Sequence, residues 1–247
     1  MEKSKPDLKT RLKNWLKQYG YAVILTAIVL IVDCVVYWLT RPIAVHFKVH
    51  NFTIVGFDDR VPLVKIFFIP YFLSYPYWFF APIIAAKNRR RFCNWFVAVM
   101  ISFFVVAVLY CFMPTTIERP IDELLASDSA LDRFIGNFYL FDGGYVPFGC
   151  FPSIHCLLSA FCYIGVRGQK NIHIANRVWI LAMDLLILLA TQFTKQHYIV
   201  DMISSVTLAE LTFLLCNKLD FGGGLLKLVE KIESRIFKNG EGAPAPK

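Results

Sequence analysis

Charge is scarce in this chain. Asp, Glu, Lys and Arg make up 18% of the 247 residues, against 57% hydrophobic, and mean hydropathy is +0.52. Soluble domains carry about a quarter charged residues, so the deficit excludes water as the main solvent and points to the bilayer. Cysteine pairing is missing too. The seven cysteines (34, 93, 111, 150, 156, 162 and 216) are odd in number, scattered through apolar segments and free of any Cys-x-x-Cys pair. They read as small core residues rather than metal ligands or a disulfide frame, and a Cys150–Cys156 bridge is not expected. The chain has no glycine-rich phosphate loop, nucleotide fingerprint or internal repeat, which leaves ATP- or NAD-driven chemistry unsupported. Nor does it show a cleavable signal pattern: mostly polar residues precede the first apolar run and no small-residue cleavage site closes it, so that run is expected to stay.

Long apolar runs are what the sequence has. A helix needs about 20 such residues to cross the hydrocarbon core. Six candidates run roughly over 21–39, 63–86, 93–113, 153–166, 178–193 and 198–217, the fourth and fifth being short at one end. The expected fold is all-α and polytopic, a bundle of six transmembrane helices over 20–217. Residues 1–19 form a cytoplasmic amphipathic segment before it, and 218–247 an amphipathic and disordered tail after it. In the first, Leu8, Leu12, Trp15, Leu16 and Tyr19 share a helical face amid lysines; beyond Gly222–Gly224, Leu225, Val229, Ile232 and Ile236 share another. Both read as membrane-surface anchors.

Basic residues are unevenly placed. Nineteen of the 26 Lys and Arg fall in the N-terminal segment, the turn after span two (Lys87, Arg89, Arg90, Arg91), the stretch after span four (Arg167, Lys170, Arg177) and the tail. Positive charge accumulates on the cytoplasmic side, so both termini are expected inside, in a plasma membrane. The +8 net charge reads as this signal plus attraction to anionic lipid, not as nucleic-acid binding. The loops 41–62 and 114–152 then lie outside, the second rich in acids and holding an apolar-periodic stretch, 121–138, expected to be a short helix. The lack of a long, glycosylated-looking outer domain suggests a bacterium; Asn51-Phe52-Thr53 matches a glycosylation acceptor, a motif too short to carry weight.

Three short pieces map to that outer face: Arg119-Pro120, Pro152-Ser153-Ile154-His155, and His197 with Asp201 four residues on. Either histidine alone is by default a polar residue at a helix end. Convergence from three loops at one depth is what suggests chemistry. Pro152 and Ser153 sit where a span begins, so free backbone N–H groups near Ser153 and Ile154 and the positive dipole end welcome an oxyanion. His155, in that first turn, is placed to protonate a leaving alkoxide. His197 and Asp201, one turn apart, let a carboxylate orient an imidazole and raise the basicity of its other nitrogen, a nucleophile toward phosphorus. Arg119 offers a planar fork for two phosphate oxygens.

These pieces resemble the type 2 phosphatidic acid phosphatase superfamily, which includes glucose-6-phosphatase and the vanadium haloperoxidases. Its signature is Lys-x6-Arg-Pro, Pro-Ser-Gly-His and Ser-Arg-x5-His-x3-Asp, matched here by Arg119-Pro120, Pro152-Ser153-x-His155 and His197-x3-Asp201. The resemblance covers roughly 60–215 and implies His197 as nucleophile, Asp201 as its orienter and His155 as acid and base, with no metal or cofactor required. The departures are Phe112 for the first Lys, Ile154 for the Gly and Ala190-Thr191 for the Ser-Arg. Lys195, one turn beyond Thr191, either replaces the lost Arg or is a snorkelling interfacial lysine. With these departures, the chain looks more like the branch that includes inositol phosphorylceramide synthase, which contains transferases. The expected partners are a lipid phosphate substrate and membrane lipids. The leading expectation is a phosphatase acting on a lipid phosphate or isoprenoid diphosphate; the alternatives are a lipid phosphotransferase and a catalytically silent lipid-binding relative. Haloperoxidase activity is set aside, because resting vanadate needs the lost cations. Asp33, Lys65, Asp184 and Glu210 are expected to be structural, with Asp33 and Lys65 able to pair within the bundle or to line a head-group cavity.

Overall fold

The computed structural model describes residues 7–238. The chain runs through α1 (Leu8–Ala44), α2 (Phe68–Ala85), α3 (Arg89–Phe112), α4 (Ile121–Ala126), α5 (Ala130–Phe141), α6 (Ile154–Val166), α7 (Ile174–Phe193), α8 (Ile199–Leu219) and α9 (Gly223–Lys238). The fold is that of an all-α, polytopic membrane protein. Pairing outside the helices is confined, among the described residues, to one isolated bridge between His50 and Thr115, which ties the two long loops together.

Five helices (α1, α2 with its preceding 3-10 turn, α3, α7 and α8) are long and apolar enough to cross a membrane. The expected fourth span is not. Helix α6 has 13 residues, about 20 Å at 1.5 Å per residue. Eleven of them are buried, because α6 packs against α2, α3, α7 and α8 at the centre of the bundle. A helix wrapped in other helices need not match the bilayer itself. Its polar contacts are internal: Trp78 Nε1 donates to Ser159 Oγ at 3.0 Å and Trp95 Nε1 to the Phe161 carbonyl at 2.8 Å. Around it, α1, α7 and α8 turn Ile24, Ile31, Val35, Leu185, Leu189, Ile203, Leu211 and Leu214 outward, an exposure that suits contact with lipid.

The N-terminal amphipathic segment is not a separate helix. Asp7 caps α1 by accepting from Thr10 N–H, and the helix continues unbroken for 37 residues. After α8 the chain turns at Asp220, in the left-handed region at φ 52°, and enters α9. Gly222 allows this, since a Cβ there would lie 2.4 Å from the backbone of Cys93 and Asn94. The expected Gly- and Pro-rich disorder lies outside the described residues. The stretch 121–138 is two helices, broken where Ser129 caps α5 by accepting from Asp132 N–H. All seven cysteines are free, Cys150 and Cys156 included.

Candidate active site

The loops at the α1 C-terminal end of the bundle surround a cavity of about 250 Å³ lined by residues of α1, α2, α3, α5, α6 and the loops beside them. His155, His197, Arg119 and Ile154 all lie on its wall.

Helix α6 begins at the cavity. Ser153, fully buried, caps it by accepting from Cys156 N–H at 3.2 Å, so its hydroxyl is used in the cap and does not reach the cavity. The Ile154 and His155 amides precede any intrahelical acceptor and stay at the cavity edge. His155 follows in the first turn, its ring stacked on Tyr71 at 4.5 Å and met edge-on by Trp78 at 4.8 Å. Its Nε2 is buried without a protein partner.

His197 is placed by a chain of contacts. Thr115 Oγ1 accepts from the backbone N–H of both Cys150 and Phe151, at 3.2 and 2.7 Å, which fixes the Cys150 carbonyl. That carbonyl lies 2.9 Å from His197 Nδ1. A carbonyl only accepts, so Nδ1 carries the proton and Nε2 keeps a free lone pair. Asp201 Oδ2 is farther, 3.4 Å from Nδ1, and also accepts from Tyr198 N–H at 2.9 Å. The orienting role expected of Asp201 alone is therefore shared with a backbone carbonyl. Burial pushes the Cys150 thiol well up from its usual range, so this residue contributes a carbonyl and not a thiolate. The two histidine rings are 6.3 Å apart, centre to centre.

Arg119 is buried and already engaged. It donates to the Asp142 carbonyl at 2.8 Å, to Asp142 Oδ2 at 3.2 Å and to Gln196 Oε1, and its guanidinium lies 5.1 Å from the Tyr139 ring centre. Its Nε and Gln196 Nε2 have no protein partner. Asp142, Gln196 and the tyrosines of the wall were not singled out from the sequence. Only the position of Gln196, directly before His197, hinted at it.

Lys195 does not replace the missing basic residue. The expectation assumed that α7 continues as far as Lys195, but the helix ends at Phe193 and Lys195 takes a left-handed conformation at φ 51°. Its ammonium is turned to the Asp58 carbonyl, 3.2 Å away, and it does not line the cavity. Lys65 likewise pairs with Asp132, at 2.5 Å, and not with Asp33. Glu210 pairs with Arg167 at 2.5 Å, and Asp184 is buried in α7 away from the cavity.

Membrane-length helices around a pocket with an oxyanion-seeking helix start define the class: an integral membrane protein with a candidate phosphoryl site. The sequence carries the assignment one step further. A family model described as the PAP2 superfamily matches residues 41–215, and the chain belongs to that superfamily. Membership supports a phosphatase-type activity on lipid phosphates. No curated protein and no solved structure matches the chain.

Proposed function

We propose that the protein hydrolyses a lipid phosphate or isoprenoid diphosphate through a covalent phosphohistidine at His197. The observation that carries this reading is the convergence on one cavity of buried, unpartnered polar atoms, His155 Nε2, Arg119 Nε and Gln196 Nε2, beside an imidazole whose Nδ1 faces a carbonyl. Buried polar atoms without partners are rare and costly, and a phosphoryl group supplies acceptors for the donors among them. In the first step the His197 Nε2 lone pair forms a P–N bond as the P–O bond to the leaving group breaks, and His155 gives that oxygen its proton. Water then attacks phosphorus and loses a proton to His155, and the P–N pair returns to His197. Arg119 and the α6 amides offset the developing charge.

Orientation follows from charge. Lys87, Arg89, Arg90 and Arg91 lie at the bundle end opposite the cavity, tied to α9, to the turn before it and to the loop after α6. Because positive charge accumulates on the cytoplasmic side, this placement supports a cavity at the outer face, which we read as that of a plasma membrane.

The test is phosphate release by detergent-purified protein from phosphatidic acid, phosphatidylglycerol phosphate and isoprenoid diphosphate in EDTA, beside His197→Ala. Release that persists in EDTA and vanishes in the variant is the expected result; release from the variant overturns it. One observation favours a second reading, transfer to a lipid alcohol: among the described residues Arg119 is the one basic side chain besides the histidines on the cavity wall, and it is paired with Asp142. Such a site suits a singly charged phosphodiester, and a new phosphodiester formed with a lipid acceptor present identifies this outcome.

A further inference from the structure

The cavity holds more carboxylate than its catalytic reading uses. Asp33 and Asp142 both line it, against one guanidinium. Asp142 is satisfied: Oδ1 accepts from Tyr37 at 2.9 Å and Oδ2 from Arg119. Asp33 sits within a membrane-spanning stretch of α1 and has no hydrogen-bond or ion-pair partner among the described residues. A carboxylate held in the membrane without a partner is costly and calls for a cation.

The surroundings of Asp33 say which kind. Tyr37 lies one turn along α1 from Asp33, and Tyr71 and Tyr75 lie one turn apart on α2, all on the same cavity wall. Tyr71 and Tyr75 also contact the His155 ring, at 4.5 and 5.6 Å between centres, so the aromatic wall is continuous with the phosphoryl site. Trp38 and Phe141 stand at the rim, both exposed. Ring faces beside a carboxylate bind ammonium groups through the ring quadrupole and the opposite charge.

Resting on the second reading of the same cavity, transfer from a phosphodiester, we propose that Asp33, with Tyr37, Tyr75 and Trp38, forms a subsite for the ammonium group of a zwitterionic phospholipid of the choline or ethanolamine type. The phosphate then faces His197, His155 and Arg119, and the ammonium faces Asp33. Such a head group brings its ammonium to the unpartnered Asp33 carboxyl and its phosphate to the Arg119 guanidinium. A dianionic monoester brings two negative charges to the same walls.

The experiment measures binding and turnover separately. Full-length His197→Ala protein in mixed micelles is titrated with head-group-labelled phosphatidylcholine, phosphatidylethanolamine, phosphatidylglycerol and phosphatidic acid. The expected result is a preference on the order of tenfold for the ammonium lipids over phosphatidylglycerol, erased by adding Asp33→Asn and kept by Asp33→Glu. Choline ahead of ethanolamine assigns most of the preference to the rings, and the reverse order assigns it to the carboxylate; either supports the subsite. Equal or tighter binding of phosphatidylglycerol or phosphatidic acid overturns it, as does an Asp33→Asn protein that keeps the preference. Should Asp33→Asn not fold, Trp38→Leu at the exposed rim carries the test by lowering choline binding relative to glycerol. Turnover of the same lipids by the wild-type protein and by His197→Ala tests the catalytic reading on its own: activity that survives in the variant overturns that reading and leaves the binding preference standing.

Discussion

The two ends of this bundle handle polar groups in opposite ways. At the basic end, Arg89 forms a two-point pair with Glu233, Arg90 with Asp220, and Arg167 with Glu210. Arg91 donates to the carbonyls of Ile164, Gly165 and Arg167, which closes the C-terminal end of α6. Charge there is consumed by the fold. At the cavity end, His155 Nε2, Arg119 Nε and Gln196 Nε2 are buried and unpartnered around one cavity, whereas the unpartnered atoms at the basic end, Gln169 Oε1 and Arg177 Nε, belong to residues that do not line it. The same helix, α6, thus has its C-terminal carbonyls capped by arginine and its N-terminal amides left at a cavity. Satisfied polar groups stabilise; unsatisfied ones wait for a ligand. Substitutions at the two ends should therefore separate activity from stability.

The largest separation is expected at the histidines. His197→Ala removes the nucleophile and His155→Ala the acid, each lowering turnover on the order of 10³-fold. Arg167→Ala at the other end removes a half-exposed ion pair worth about 0–1 kcal/mol and leaves turnover unchanged. Single-turnover phosphate release beside thermal unfolding measures both; a loss of turnover in Arg167→Ala that matches the histidine variants would erase the contrast.

Arg119 tests whether fork geometry or charge is what the cavity uses. Arg119→Lys keeps the charge but cannot bridge Asp142 and Gln196 while meeting a phosphate, so turnover falls on the order of 10²-fold. A lysine variant with nearly full activity would show that charge alone suffices.

Thr115 sits between the two regimes, a structural hydroxyl that acts on the site at one remove. Thr115→Val leaves the Cys150 and Phe151 amides without their acceptor, at about 1–2 kcal/mol of stability, and frees the carbonyl that faces His197 Nδ1. Turnover should fall on the order of tenfold, through displacement of His197 rather than loss of a reacting group. A positioning role predicts that kcat falls with KM little changed; a rise in KM alone contradicts it.

The helices and the order of the three motifs were legible because hydropathy runs and fixed i to i+4 spacings are local. The meeting of Arg119, His155 and His197 at one cavity was inferred from their shared loop side, and the structure places all three there. The failures have one physical origin. Lys195 was projected along a helix that stops at Phe193. Asp142 and Gln196 escaped because what marks them is a shared partner, Arg119, lying 23 and 77 residues away. Lys65 found Asp132 rather than Asp33 because both sit at the loop end, whereas Asp33 lies deeper in α1. Pairing across the fold leaves no local signature.

The smallest effect expected is at the basic end, and it depends on pH. Hydrogen bonds from Arg90 and then Asn94 hold the Asp220 carboxyl at about 2, below its ordinary value of 3.8. A carboxylate with a depressed folded-state value binds its proton more readily when unfolded. Its contribution is therefore present in full above the ordinary value and is lost as pH falls toward 2. Asp220→Asn should lower the unfolding midpoint slightly at neutral pH and leave turnover alone. The difference from wild type should shrink between about pH 4 and pH 2, because protonation makes the wild-type side chain neutral as well. A difference that stays constant across that range would mean that the residue acts through the left-handed turn into α9, and that charge pairing at this end does less for the fold than its geometry implies.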